Sequence, residues 1–313
     1  MDSTQTTPTP QKLGKNGLLK PLTAARSLWD RTLGEYGYLL IATVIPMVLF
    51  YLIYLIGKQH YPFGDGTVLV LDLNGQYVSF YEGLHDILHG EADLLYSFSR
   101  NLGGEFLGIY DYYVASPFAM LLALLPQRFM LEGLLLLFLL KAGLCGLFMG
   151  IYLHKHAAGE PNRLAVVAFS VMYAMSSYAV VQAHNTMWID ALLYLPLLTY
   201  ALEALITKGR FKTFVIILTL TLTANYYIGF MICIYVVLYS IYYYIAHNEN
   251  NENNFYYEDN HLVKSVLRVG GASLLSAAMS AWVLLPAYYS LTFGKTTFTD
   301  PDFFPTLNFD PLD

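Results

Sequence analysis

Long apolar runs separated by short polar breaks organise this chain. A membrane-spanning helix needs roughly 20 mostly apolar residues, and seven runs approach or reach that length: 38–56, 129–153, 164–181, 188–206, 213–224, 228–246 and 265–286. The fifth, FVIILTLTLTAN, is too short to span alone and turns into the sixth at Asn225-Tyr226-Tyr227. A further run, YVASPFAMLLALL from Tyr113 to Leu125, carries Pro117 inside it and Pro126 behind it. It reads as a short span or as an interfacial or re-entrant segment. The pattern therefore predicts an all-α polytopic membrane protein with seven, or with this segment eight, transmembrane helices.

Between the first two runs the pattern changes. TVLVLDLN has the β-branched, apolar character of an extended segment, and Gly64-Asp65-Gly66 ahead of it is a turn signal. Then Tyr77, Phe80, Tyr81, Leu84, Ile87 and Leu88 recur at helical spacing and predict an amphipathic helix lying on the membrane surface. Near the N-terminus, LKPLTAARSLWDRTL reads as a basic interfacial helix, and HNENNENNFYYEDNH reads as a polar loop.

Composition agrees with a bilayer setting. The chain is 56% hydrophobic and 13% charged, against about 25% charged in soluble domains. No basic domain or RNA-binding signature argues for nucleic acid. Cys145 and Cys233 sit in apolar runs, where a thiol acts as a small hydrophobe, and no disulfide framework is implied. No cleavage-site pattern follows the first run, which reads as an uncleaved transmembrane helix. No repeat of solenoid period is present.

Charge placement selects an orientation, because Lys and Arg concentrate in short cytoplasmic loops. If 113–125 does not cross, twelve basic residues lie on the cytoplasmic side: Lys12, Lys15, Lys20, Arg26, Arg31, Lys155, Arg163, Lys208, Arg210, Lys212, Lys264 and Arg268. Four lie outside: Lys58, Arg100, Arg128 and Lys295. This predicts a cytoplasmic tail and interfacial segment (1–37), a transmembrane domain (38–286) and an extracytoplasmic C-terminal segment (287–313). The long first outer loop, 58–128, carries eight of the 23 acids, and long ordered loops carry function disproportionately.

Asp72 opens the predicted amphipathic helix, where the partial positive charge of the helix start favours a carboxylate. The alternative role for such an acid is a helix cap or a solvated loop residue. Beyond local pattern, the ordered set DLNGQYVSFY, LLYSFSRNLGGE, YYVASPF, NTMWIDALLYLPL and NYYIGFM resembles the YfhO-type bacterial membrane proteins, over about residue 38 to the end. These are similar to the C-type glycosyltransferases, polytopic enzymes with an acidic catalytic residue in the first outer loop. The resemblance implies a polyprenyl-phosphate-linked sugar as donor and an envelope polymer of the teichoic or lipoteichoic acid class as acceptor. It places the work at the outer face of the bacterial plasma membrane. Family members run longer, which implies that 287–313 is truncated relative to them.

A donor with a phosphate leaving group needs little acid assistance, so one carboxylate acting as base on the acceptor hydroxyl suffices. Asp72 is the expected base, with Asp65 as second candidate or, with Asp72, as ligand to a divalent ion such as Mg²⁺ or Mn²⁺. Arg100 and Arg128 are expected to face the leaving phosphate, with Lys58 and Lys295 behind them. Lys141, deep in the second run, must meet a partner or a wet cavity: a lipid phosphate, or an acid on a neighbouring helix. His184, Asn185, Trp188 and Asp190 open the fourth run, where Trp188 would stack on a sugar and Asp190 accept a hydroxyl, or where the two would serve as interfacial anchor and cap. Gln76, Tyr77, Asn225 and Tyr226 complete the substrate-binding candidates. The competing reading is a non-catalytic component that binds, transports or assembles lipid-linked sugar.

Overall fold

The computed structural model describes residues 34, 36–57, 63–64, 66–99, 103–157, 159–247 and 261–294. The expected basic interfacial helix, residues 248–260 of the expected polar loop and the segment from 295 onward lie outside the described residues. Apart from a single turn at Leu107–Ile109, the α-helices among the described residues are α1 Gly37–Ile56, α2 Val78–Leu88, α3 Pro117–Leu122, α4 Met130–His156, α5 Arg163–Ala174, α6 Ser177–Val181, α7 Thr186–Lys208, α8 Phe211–Ala224, α9 Tyr226–Ala246, α10 His261–Met279 and α11 Ala281–Gly294. Among the described residues there is no strand, only an isolated bridge between Ser97 and Gly104. In lipid a backbone must satisfy its own polar groups, and helices do so. By length and composition six helical stretches can cross a membrane: Gly37–Ile56, Gln127–His156, Arg163–Val181, Thr186–Lys208, Tyr226–Ala246 and His261–Met279. The fifth run, Phe211–Ala224, is a 14-residue helix, shorter than a span requires.

Two of the expected continuous runs are broken. The third divides at Met175-Ser176 into α5 and α6, and the last turns at Ser280 between α10 and α11. Ser276 and Ser280 donate to the carbonyls of Val215 and Thr219 on α8 at 3.4 and 3.3 Å, so the second break is stitched to a neighbour.

The central pair is α4 and α7. On one side α1 lies against α4 at small residues: a Cβ added to Gly146 would stand 2.2 Å from the Ala42 carbonyl oxygen. Such close approach is how helices pack where lipid tails compete equally for apolar surface. On the other side, α9 runs parallel to α7, with Thr199 bonded to Tyr235 at 2.7 Å and Glu203 to Tyr239 at 2.6 Å. Glu203, buried near the basic end of the bundle, also accepts from Tyr152 and pairs with His156, so three helices share one carboxylate.

These cross-links fix relative heights. Near the basic end, Tyr152 and His156 of α4 stand level with Glu203 of α7. At the opposite end, Lys141 of α4 stands level with Thr186 and Asp190 at the start of α7. Lys141 lies eleven residues into α4, about 16 Å at 1.5 Å per residue. The start of α7 is therefore sunk by that distance below the start of α4. The α8–α9 turn is sunk with it, since Tyr227 meets the Trp188 ring at 6.3 Å.

The bowl so formed is filled by the segment between α1 and α4. Its base is α2 with the π-helical turn Leu73–Tyr77 before it, then Leu107–Ile109, the π-helical turn Tyr110–Val114, and α3. At six residues α3 is about 9 Å long and does not cross. Pro117 at its first position and the Ser116 hydroxyl, which accepts from Phe118 N–H at 3.2 Å, start it cleanly. Its Phe118 ring comes within 5.4 Å of the Lys141 ammonium, so 113–125 enters the bundle from the site end as a plug. The expected surface helix is also a packing helix: Tyr77, Tyr81 and Leu84 are buried against the plug and α4 rather than against lipid, because the bowl offers a closer apolar wall.

Candidate active site

Asp72 stands where the chain enters the bowl. The residues 66–70 are irregular rather than a strand. A tight turn follows, closed by Leu73 N–H donating to the Val70 carbonyl at 3.0 Å. Within it Leu71 adopts φ +48°, a left-handed conformation that costs a side-chain-bearing residue roughly 1–2 kcal/mol. A π-helical turn begins directly after Asp72, and such turns gather at functional sites. Asp72 occupies the N-cap position but caps nothing: its carboxylate is exposed and accepts instead from the Tyr77 hydroxyl at 3.3 Å. Of the alternatives to a base, the helix-cap role is thus not the one its side chain takes.

Tyr77 links that carboxylate to α7. Its hydroxyl lies 2.9 Å from Asn185 Oδ1, so one phenolic proton serves two acceptors. Burial first, then the Asp72 charge, raises the phenol above its ordinary range and keeps it a donor. Asn185 in turn donates to Gln182 Oε1 at 2.6 Å and contacts His184 Nε2 at 3.1 Å. Asp72, Tyr77, Asn185, Gln182 and His184 form one polar cluster, with exposed Gln76 on the same π turn.

Aromatic rings flank it. Tyr113 of the plug packs on Tyr77 at 5.2 Å and Phe80 at 4.8 Å; Tyr112 meets Tyr226 at 5.5 Å and Tyr227 at 6.3 Å. The series continues to Trp188, which with Tyr178, Leu192, Leu195, Tyr227 and Met231 lines an apolar groove of about 380 Å³ between α7 and α9, open to the side of the bundle. A path of ring faces thus leads from a lipid-facing groove to an exposed carboxylate.

Other sequence candidates are engaged elsewhere. Lys141 does not reach the cluster: its ammonium lies 2.8 Å from Asp190 Oδ1 and donates to the Thr186 carbonyl at 2.8 Å. Both side chains are buried, so the expected partner is an acid on a neighbouring helix, and Asp190 faces the lysine rather than a hydroxyl. Asn225 accepts from Ile228 N–H at 2.8 Å, capping α9, and donates to the Tyr112 carbonyl at 2.7 Å, pinning the plug. Arg128 lies over Phe129 at the far top of α4. Asp65, Arg100, Lys58 and Lys295 lie outside the described residues. Among the described residues, no three His, Cys, Asp or Glu side chains gather as a metal site. Asp72 takes its hydrogen bond from a phenol.

Sequence reasoning passed over Gln182, Tyr113 and Asp111. Gln182 and Tyr113 gain meaning only from partners far along the chain. Asp111 sits in the second π-helical turn, fully buried, with neither carboxylate oxygen hydrogen-bonded. Burial, with Glu105 adding to it, pushes its carboxyl up to about 7. The available signal was an aspartate between tyrosines in IYDYYV, a polar residue inside an apolar run.

Residues 42–313 match the family described as "Bacterial membrane protein YfhO". Comparison with curated proteins gave no match, and neither did comparison with solved structures.

Proposed function

Because the chain belongs to the YfhO family of bacterial membrane proteins, we propose that its bowl is the active site of an integral membrane glycosyltransferase. In this reading it moves a sugar from a polyprenyl phosphate to an envelope polymer of the teichoic or lipoteichoic acid class, at the outer face of the plasma membrane. The observation that carries the reading is the exposed Asp72 carboxylate, set between a left-handed residue and a π-helical turn and hydrogen-bonded by Tyr77. Backbone strain of that kind persists where surrounding structure enforces it, and it clusters at functional sites. Charge supports the orientation: Lys155, Arg163, Lys208, Arg210, Lys212, Lys264 and Arg268 all belong to the end opposite the bowl.

The chemistry is a single displacement. Asp72 takes the proton from an acceptor hydroxyl, and that oxygen forms its bond to the anomeric carbon as the bond from this carbon to the phosphate oxygen breaks. The electron pair leaves on the polyprenyl phosphate. As Asp72 becomes neutral, the Tyr77 proton turns from it toward Asn185 Oδ1, which frees the new carboxylic acid to pass its proton to the departing phosphate or to water. The half-buried Tyr113 ring supplies a face for a sugar, and Gln76, Gln182 and His184 supply hydroxyl partners. The groove at Trp188 suits an isoprenoid chain because it is apolar, lateral and contiguous with those rings.

The test is Asp72→Asn in the intact gene, reading sugar on the envelope polymer by mass measurement. Removing an essential base is expected to lower decoration at least 100-fold with unchanged protein level. Normal decoration would dismiss Asp72 as the base.

A further inference from the structure

The floor of the bowl rests on one buried ion pair. Lys141 and Asp190 are both about 1% exposed, and such pairs contribute little net stability, because desolvating two charges offsets their attraction. What this pair contributes is geometry. The ammonium has three protons; one faces Asp190 and one bonds the Thr186 carbonyl, while the Phe118 ring lies beside it. Thr186 is the first residue of α7, and its hydroxyl is bonded to the Tyr81 hydroxyl of α2 at 2.5 Å. One residue earlier, Asn185 holds Tyr77, and Tyr77 holds Asp72.

We propose that Lys141 is a positioning residue: by clamping the first turn of α7 it sets the height at which Thr186 and Asn185 receive two phenols of the α2 segment, and so where Asp72 stands. A lysine reaching from α4, the longest helix among the described residues, references the site to the middle of the bundle. The Phe118 contact references the plug to the same atom. Four segments therefore meet at one ammonium: α4, α7, the plug, and, through Tyr81, α2. The proposal rests on the reading of Asp72 as the base only for its effect on transfer; the clamp itself is a statement about structure.

Single neutralisations leave a lone buried charge and threaten folding, so the informative variant removes both charges: Lys141→Met with Asp190→Leu, which keeps the site filled and apolar. Three readouts are taken on the full chain: thermal midpoint in detergent, hydrogen exchange of the 73–88 amides, and sugar on the envelope polymer in cells. The expected result is an unchanged midpoint and unchanged exchange in α4 and α7 beyond its first turn. Exchange in 73–88 rises at least tenfold, and decoration falls at least tenfold. A merely structural pair would move the midpoint and the exchange of the whole bundle together, and that outcome overturns the proposal. So does wild-type protection of 73–88, or normal decoration where Asp72→Asn abolishes it. If Asp72→Asn leaves decoration intact, the base assignment fails while the exchange of 73–88 still decides the clamp.

Discussion

At the scale of single residues, the bowl holds two carboxylates in opposite circumstances. Asp72 is exposed and hydrogen-bonded; Asp111 is buried without a partner. The Asp111 carboxyl, pushed up to about 7 from an ordinary value near 3.8, binds its proton more tightly folded than unfolded. Its contribution to stability is thus fully present below about pH 4 and is lost as pH rises through 7. The thermal midpoint of the wild type should fall between pH 5 and pH 8, and Asp111→Asn should flatten that slope; equal slopes in the two proteins would contradict the assignment. The sequence showed Asp72 as an acid at a helix entrance. It could not show Asp111 as a buried one, because burial there depends on α11 and on the α8–α9 turn, each more than 100 residues away.

Elements tell a similar story of periodicity against contact. Apolar runs announced α1, α4, α7 and α9 within a few residues, since a spanning helix must be long and apolar whatever it packs on. The breaks at Met175-Ser176 and Ser280 left no comparable mark, because serine is tolerated in a helix and each break is completed by its surroundings. Lys141 announced that it needed a partner, but Asp190 lies 49 positions on, and only the pairing of α4 with α7 selects it. The α1–α4 contact was equally hidden: glycines in an apolar run do not say which face another backbone approaches. Gly146→Leu must push α1 away from the Ala42 carbonyl. Overpacking of this kind costs about 1–3 kcal/mol. Thermal unfolding should register that loss, whereas Gly270→Ala, with nothing within 4 Å of the new Cβ, should be close to silent.

For the molecule as a whole, the central matter is which end faces the cytosol. The charge bias predicts that a cysteine at Asn74 or Leu88, both exposed in the bowl segment, reacts with an impermeant maleimide on intact cells. A cysteine at Lys155, exposed at the basic end, should react only after permeabilisation. The reverse pattern would invert the topology and remove the envelope polymer as acceptor. Family membership and the helical, multi-pass architecture stand apart from that result; the direction of the reaction does not.

The sunken start of α7 has a consequence for the lipid around it. From Lys141 to the end of α4 is fifteen residues, about 22 Å of rise, whereas a typical hydrocarbon layer is about 30 Å thick. The polar floor therefore lies several ångströms beneath the level at which neighbouring headgroups float. Short acyl chains bring that level down toward the floor, and long chains lift it away. On the proposed glycosyltransferase reading, bilayer thickness becomes a rheostat on how easily a phosphate riding in the leaflet meets the carboxylate, so that the composition of the surrounding membrane would tune transfer.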